Sequence, residues 1–123
     1  MNKFLPLLIL TYFIHANEIK FNAIDEHENG TLNVSFNLEQ VAYINSYALE
    51  NPSRLVLEIN DAYSKKPINE IYNYPIKKIR SSEDNNLTRV IIDLYDHVFW
   101  HKPIQKQEDS DILMNIKLLK DKS

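Results

Sequence analysis

Ser53-Arg54-Leu55-Val56-Leu57-Glu58-Ile59-Asn60-Asp61 returns later in the chain as Thr88-Arg89-Val90-Ile91-Ile92-Asp93-Leu94-Tyr95-Asp96. Both copies read hydroxyl, Arg, three aliphatics, acid, aliphatic, a polar residue or Tyr, then Asp. Neither contains Gly or Pro, and each has the length and aliphatic content of one strand. Side chains alternate across a strand. Leu55, Leu57 and Ile59 therefore point one way in the first copy, and Val90, Ile92 and Leu94 do so in the second. Those residues are explained by a core. Arg54, Glu58, Arg89 and Asp93, on the opposite faces, are not.

The same period-2 pattern extends outward from the repeat. Glu18–Ile24 places Ile19, Phe21 and Ala23 on one face, and Asn29-Gly30 then marks a hairpin of type I′. Thr31–Leu38 alternates without a break, with Leu32, Val34, Phe36 and Leu38 inward and Asn33, Ser35 and Asn37 outward. Tyr43–Leu49 is a further strand. Ala62–Pro75 reads as a long loop with one short helical turn near Asn69–Tyr72. Ile76–Ser82 is a short strand ending in the polar turn Glu83–Asn86. His97–Ile104 is extended, with Pro103 placing its end at an edge or outside the sheet. Gln105–Asp111 is a polar turn, and Ile112–Leu119 closes the domain before a charged tail, Lys120–Ser123. Regularly spaced strands without a long helix predict an all-β fold, a β-sandwich of two roughly four-stranded, pseudo-symmetric sheets. The repeat is expected to place one copy in each of two facing sheets, giving two similar Arg–acid faces.

The chain has 123 residues, enough for one domain. Its 44% hydrophobic and 25% charged residues are ordinary for a folded protein. A formal net charge of −3 with dispersed basic residues gives no nucleic-acid footprint. Cysteine is absent, which excludes disulfides, a thiol nucleophile and thiolate metal ligands. A single Gly excludes a glycine-rich phosphate loop. At the N-terminus, Asn2-Lys3, the apolar run Phe4–Ile14 and Ile14-His15-Ala16 predict a secretory signal over 1–16, cleaved after Ala16. The apolar run is too short for a bilayer span of about 20 residues. The domain is expected to occupy 17–123, beyond the inner membrane and with no membrane span of its own.

Chemistry narrows further. His97 and His101 share a strand face but lie about 13 Å apart at 3.3 Å per residue, too far to chelate one ion. No G-x-S-x-G elbow or other nucleophile motif is present, so neither an enzyme nor a cofactor is expected. Arg54, Arg80 and Arg89 are the only arginines, against a large majority of lysines. Two readings stay open for them and for Glu58 and Asp93. They form a solvated ion-pair ladder, or a polar face whose guanidinium forks bind carboxylates or sugar hydroxyls. Tyr63, Tyr72, Tyr74, Tyr95 and Trp100 are candidates for stacking on sugar rings or for packing.

Three elements in order resemble the AMIN domain, the small β-sandwich of periplasmic N-acetylmuramoyl-L-alanine amidases and type IV pilus secretins. They are Asn51-Pro52-Ser53-Arg54-Leu55-Val56-Leu57-Glu58-Ile59, Ile76-Lys77-Lys78-Ile79-Arg80 and Thr88-Arg89-Val90-Ile91-Ile92-Asp93-Leu94. Glu58 stands where that family more often has Asp. The resemblance spans about Ile19 to Leu119. It implies a non-catalytic periplasmic module that binds peptidoglycan, the cell wall polymer, and localises itself or a partner in the envelope. It places Arg54, Glu58, Arg80, Arg89 and Asp93 at motif positions of a ligand face; Tyr95 and Trp100 are candidate aromatic contacts on residue type alone. No amidase zinc site or secretin body accompanies the domain, so the expected partners are peptidoglycan and a non-covalently bound wall amidase or pilus or secretion protein. The alternative is an adaptor that docks on an envelope complex, such as a pilus, division or amidase machine, by strand addition.

Overall fold

The computed structural model describes residues 17–119; the expected signal 1–16 and the charged tail, 120–123, lie outside them. Within them the chain forms eleven strands: β1 Asn17–Glu26, β2 Thr31–Leu38, β3 Ile44–Leu49, β4 Arg54–Asn60, β5 Ala62–Tyr63, β6 Asn69–Ile71, β7 Ile76–Asp84, β8 Leu87–Leu94, β9 Phe99–Trp100, β10 Ile104–Glu108 and β11 Asp111–Leu119. They make a six-stranded sheet, β10-β11-β2-β1-β5 with β9 also on β11, and a five-stranded sheet, β3-β4-β8-β7-β6. The two pack face to face as a sandwich, as the alternation predicts. The strands beyond the expected set are β5, β6 and β10, which sit at the margins of the sheets, while the expected strand His97–Ile104 is reduced to β9, Phe99–Trp100.

The core follows from the period-2 pattern. Leu32, Val34, Phe36 and Leu38 of β2 and Met114, Ile116 and Leu118 of β11 face Leu55, Leu57 and Ile59 of β4 and Val90 and Ile92 of β8, all buried. Phe21 meets Phe36 edge-on with ring centroids 5.9 Å apart, a geometry aromatic quadrupoles favour. Thr88, fully buried on β8, donates its hydroxyl to the Ala62 carbonyl at 2.7 Å and so ties the five-stranded sheet to β5 of the other. Asn17 staples the start of β1 to the segment after β2. Its amide donates to the Gln40 carbonyl, and its side-chain oxygen accepts from the Glu39 and Gln40 N–H groups.

Five expectations are corrected. The repeated strands do not face one another across the core. They are β4 and β8, hydrogen-bonded neighbours in one sheet, with Arg54 opposite Asp93 and Glu58 opposite Arg89. Antiparallel pairing of two similar strands brings the Arg of each copy to the acid of the other, so there is one Arg–acid face, not two. On β1 a bulge between Phe21 and Ala23 shifts the alternation. It places Ile24 rather than Ala23 against the core. The Asn29-Gly30 turn has positive φ only at Gly30 (82°). Its His27 carbonyl accepts from the Gly30 N–H, and Thr31 N–H donates to the Asn29 side chain. That is a three-residue loop closed by a left-handed Gly, not a type I′ turn. The segment near Asn69–Tyr72 is strand β6, paired with β7, and not a helical turn. Finally, Gln105–Glu108 extends β10 instead of turning, and the reversal falls at Asp109, whose φ is 53°.

Candidate functional site

The outward side of the five-stranded sheet can be built row by row from its register. One row holds Leu49, Arg54, Asp93 and Lys78; the next holds Tyr47, Val56, Ile91 and Arg80; the third holds Asn45, Glu58, Arg89 and Ser82. All five site residues expected from the sequence to bind through charged groups therefore meet on one face. Val56 is only 2% exposed although it points outward, so the longer side chains around it cover the middle of the face.

The charged groups are not equivalent. Arg89 closes both Nε (3.2 Å) and Nη2 (2.8 Å) on Oε2 of Glu58, directly across the strand pair. Asp84 lies at 4.0 Å from the same guanidinium. Arg80 grips Asp93 with a fork, Nε to Oδ2 at 2.8 Å and Nη2 to Oδ1 at 3.3 Å. For these two arginines the ion-pair ladder is realised. The Arg89 hydrogen bond, with a second from Asn45, holds the Glu58 carboxyl below its ordinary range. The same contact raises Arg89, and the Asp93 hydrogen bond raises Arg80. Arg54 differs. Its Nη1 donates to the Pro52 carbonyl at 2.8 Å, and among the described residues it makes no ion pair. It sits opposite Asp93, whose oxygens are engaged by Arg80.

Beyond the first row, Tyr95 lies just past the end of β8, whose outward series is Arg89, Ile91, Asp93. It is 52% exposed, its ring lies 5.9 Å from that of Tyr74, and Lys77 Nζ sits 5.0 Å from its centroid. The Tyr74 hydroxyl reaches Asp96 at 3.3 Å. Lys77 reaches this cluster because β7 bulges between Ile76 and Lys78. The Arg54 end thus carries Arg54, Lys77 and Lys78 near two carboxylates, Asp93 bonded to Arg80 and Asp96 bonded to the Tyr74 hydroxyl. Trp100 does not join them. It lies on β9, on the other sheet opposite Leu118, and packs against the core. Tyr63 approaches Glu18 at 3.5 Å, and its hydroxyl pKa is raised, chiefly by desolvation. Tyr72 packs on the core.

Tyr47 was given no role from sequence, yet it lies in the central row of the face. Its alternation with Asn45 and Leu49 was the signal that could have placed it there. His97 pairs loosely with Glu50 at 3.4 Å. Among the described residues no group of three or more His, Asp or Glu could hold a metal ion, and no helix is long and apolar enough to cross a membrane.

The family model of the AMIN domain matches residues 18–112, which include every residue of this face. No curated protein matches the chain.

Proposed function

The chain belongs to the AMIN domain family, and on that premise we propose that it is a non-catalytic periplasmic module that binds peptidoglycan and localises itself or a bound partner in the envelope. The ligand face is the outward side of the five-stranded sheet, with Arg54, Glu58, Arg80, Arg89 and Asp93 as its polar groups and Tyr95 at its end. The observation that carries this reading is Arg54, a guanidinium with no acid partner among the described residues beside two arginines that have theirs. Arg presents a planar fork matched to carboxylates. The stem peptides of the wall end in carboxylates, and Lys77 and Lys78 add positive charge at the same end. Glu58 and Asp93 hold Arg89 and Arg80 in place and position them. Tyr74 and Tyr95 offer an exposed aromatic platform just beyond Asp93, the residue opposite Arg54, suited to the apolar side of a sugar or peptide.

Sedimentation of the protein with purified sacculi tests the reading. Binding that falls at least tenfold on Arg54→Ala, in a variant whose circular dichroism is unchanged, is the expected result. Binding indifferent to Arg54 would overturn the assignment of the face. Failure to sediment, together with one dominant protein captured by in-cell crosslinking, would replace the module by an adaptor. For that reading the open edge strand β3, with Val41 and Tyr43 exposed beside it, would be the docking edge.

A further inference from the structure

The edges of the two sheets are not guarded alike. β5, β6 and β9 are only two or three residues long. β10 follows Pro103 and carries Lys106 and Glu108. Shortness, proline and charge are the usual means of keeping a strand edge from pairing. β3, Ile44-Asn45-Ser46-Tyr47-Ala48-Leu49, has none of them: it is six residues long, uncharged, free of proline and without a bulge against β4. Its register shows which backbone groups are open. The Asn60 N–H donates to the Tyr43 carbonyl at 3.0 Å, so Tyr43 and, by alternation, Asn45, Tyr47 and Leu49 turn their backbone groups to β4. Ala42, Ile44, Ser46 and Ala48 turn theirs outward. At Ala42 both groups are taken by one side chain: Gln105 Oε1 accepts from the N–H at 2.8 Å, and Gln105 Nε2 donates to the carbonyl at 2.7 Å. A side-chain amide thus closes the edge at Ala42 as a partner strand would. Ile44, Ser46 and Ala48 are left with no backbone partner among the described residues.

What fits this edge is the same edge of a second copy. Placing Ser46 opposite Ser46 of the second copy, antiparallel, puts Ile44 opposite Ala48 and Ala48 opposite Ile44. It is the only register that pairs all three open residues, and each such pair exchanges two hydrogen bonds. The ladder then stops where Gln105 has already closed it, because Ala42 would come opposite Glu50, beyond the end of β3. On the inner side each Ile44 meets a small Ala48. On the outer side Tyr43 comes opposite Leu49, and Asn45 opposite Tyr47, in both directions. Tyr43, 73% exposed, and Leu49, 37% exposed, are apolar side chains that a single copy leaves in water, and this pairing covers each with the other. No like charges are set opposite one another, which would oppose the pairing. The strand is therefore complementary to itself, as an interface with two-fold symmetry requires.

We propose that the protein forms a two-fold homodimer through β3, joining two five-stranded sheets into one continuous sheet with Ser46 at the axis. The axis runs perpendicular to the sheet, so both Arg54 faces lie on the same side of it. None of Arg54, Glu58, Arg80, Arg89 or Asp93 is paired across the axis, so the inference stands whether or not that face binds the wall. The test is cysteine crosslinking in the full chain, which has no cysteine of its own. Tyr43→Cys and Leu49→Cys proteins, mixed and mildly oxidised, should form a disulfide dimer, because directly opposite residues of a non-hydrogen-bonded pair have Cα atoms about 4.5 Å apart, within disulfide reach. Neither protein should crosslink alone, since the same position in the two copies lies six residues along the ladder, about 20 Å away. In sedimentation equilibrium the unmodified protein should show a concentration-dependent dimer. Ala48→Pro removes an N–H that β4 does not use, at an edge where proline is tolerated, and should weaken the dimer at least tenfold with the urea midpoint retained. If that variant unfolds, the crosslinking pattern, which changes side chains only, still decides. A monomer at millimolar concentration, or crosslinking of either single variant as readily as the mixture, overturns the proposal. So does capture of a different protein at this edge with no homodimer.

Discussion

The two outer faces of the sandwich share one core and differ in what they turn to solvent. The five-stranded sheet presents long charged side chains, two arginines locked to carboxylates and one unlocked. The six-stranded sheet presents short amides that orient one another, in rows shared with Lys20, Asp25, Lys106 and Lys117. Alternation with a period of two makes this possible, because inward residues decide the fold and outward residues can be changed without touching it. The difference teaches where to look for function: not where interactions are densest, but where an oriented group has been left without a partner. Arg89 and Arg80 are rigidly satisfied. Arg54 is held by one backbone carbonyl and keeps most of its donors.

The comparison breaks most severely if its shared core is removed. Phe36→Ala should cost about 3–5 kcal/mol in urea unfolding and loosen both sheets together. Loss confined to one sheet would mean that the sheets fold independently. Thr88→Val cuts the tie between the sheets and leaves the Ala62 carbonyl unsatisfied in a buried position. It should cost about 1–3 kcal/mol by the same measurement, and a neutral result would show that β5 re-pairs elsewhere. Glu58→Gln sharpens the contrast within the charged face. Because the folded Glu58 pKa is depressed, its contribution is present above the unfolded value and is lost as pH falls through the folded one. The variant should therefore be less stable by at most about 1 kcal/mol at neutral pH, and the difference should shrink as pH falls below the ordinary glutamate range. A difference that grows on acidification would contradict the Arg89 contact as its source. The smallest stability effect is expected at Arg54→Ala, within about 0.5 kcal/mol, because no ion pair is broken.

Most of this architecture can be read from residues. The uninterrupted alternation of Thr31–Leu38 and of the two repeat copies identifies the inward set that the core contains. The face bearing Arg54, Glu58, Arg89 and Asp93 follows from the same count by twos. What the sequence could not tell is which strands are neighbours. A repeat is equally compatible with two facing sheets and with side-by-side pairing, and only the latter brings Arg89 to Glu58. Bulges are likewise silent in composition. Asn22 and Lys77 each shift a register by one residue, moving Ile24 into the core and Lys77 toward Tyr95. For Trp100 the sequence leaves stacking on a ligand and packing both open, and pairing with Leu118 turns its ring onto the core. The outward Asn33 and Asn37 are visible in the alternation, while their partners are the bulged Asn22 of β1 and Asn115 from β11, far along the chain.

The central claim is that Arg54, the unlocked arginine, meets the ligand, whereas Arg89 serves the face by its pairing with Glu58. Sacculus-binding isotherms of Arg54→Ala and Arg89→Ala, measured side by side with their unfolding curves, test it directly. The account predicts that Arg54→Ala loses binding at least tenfold with its stability intact, while Arg89→Ala loses stability and weakens binding less. Equal losses in the two variants, or a larger binding loss at Arg89, would contradict it.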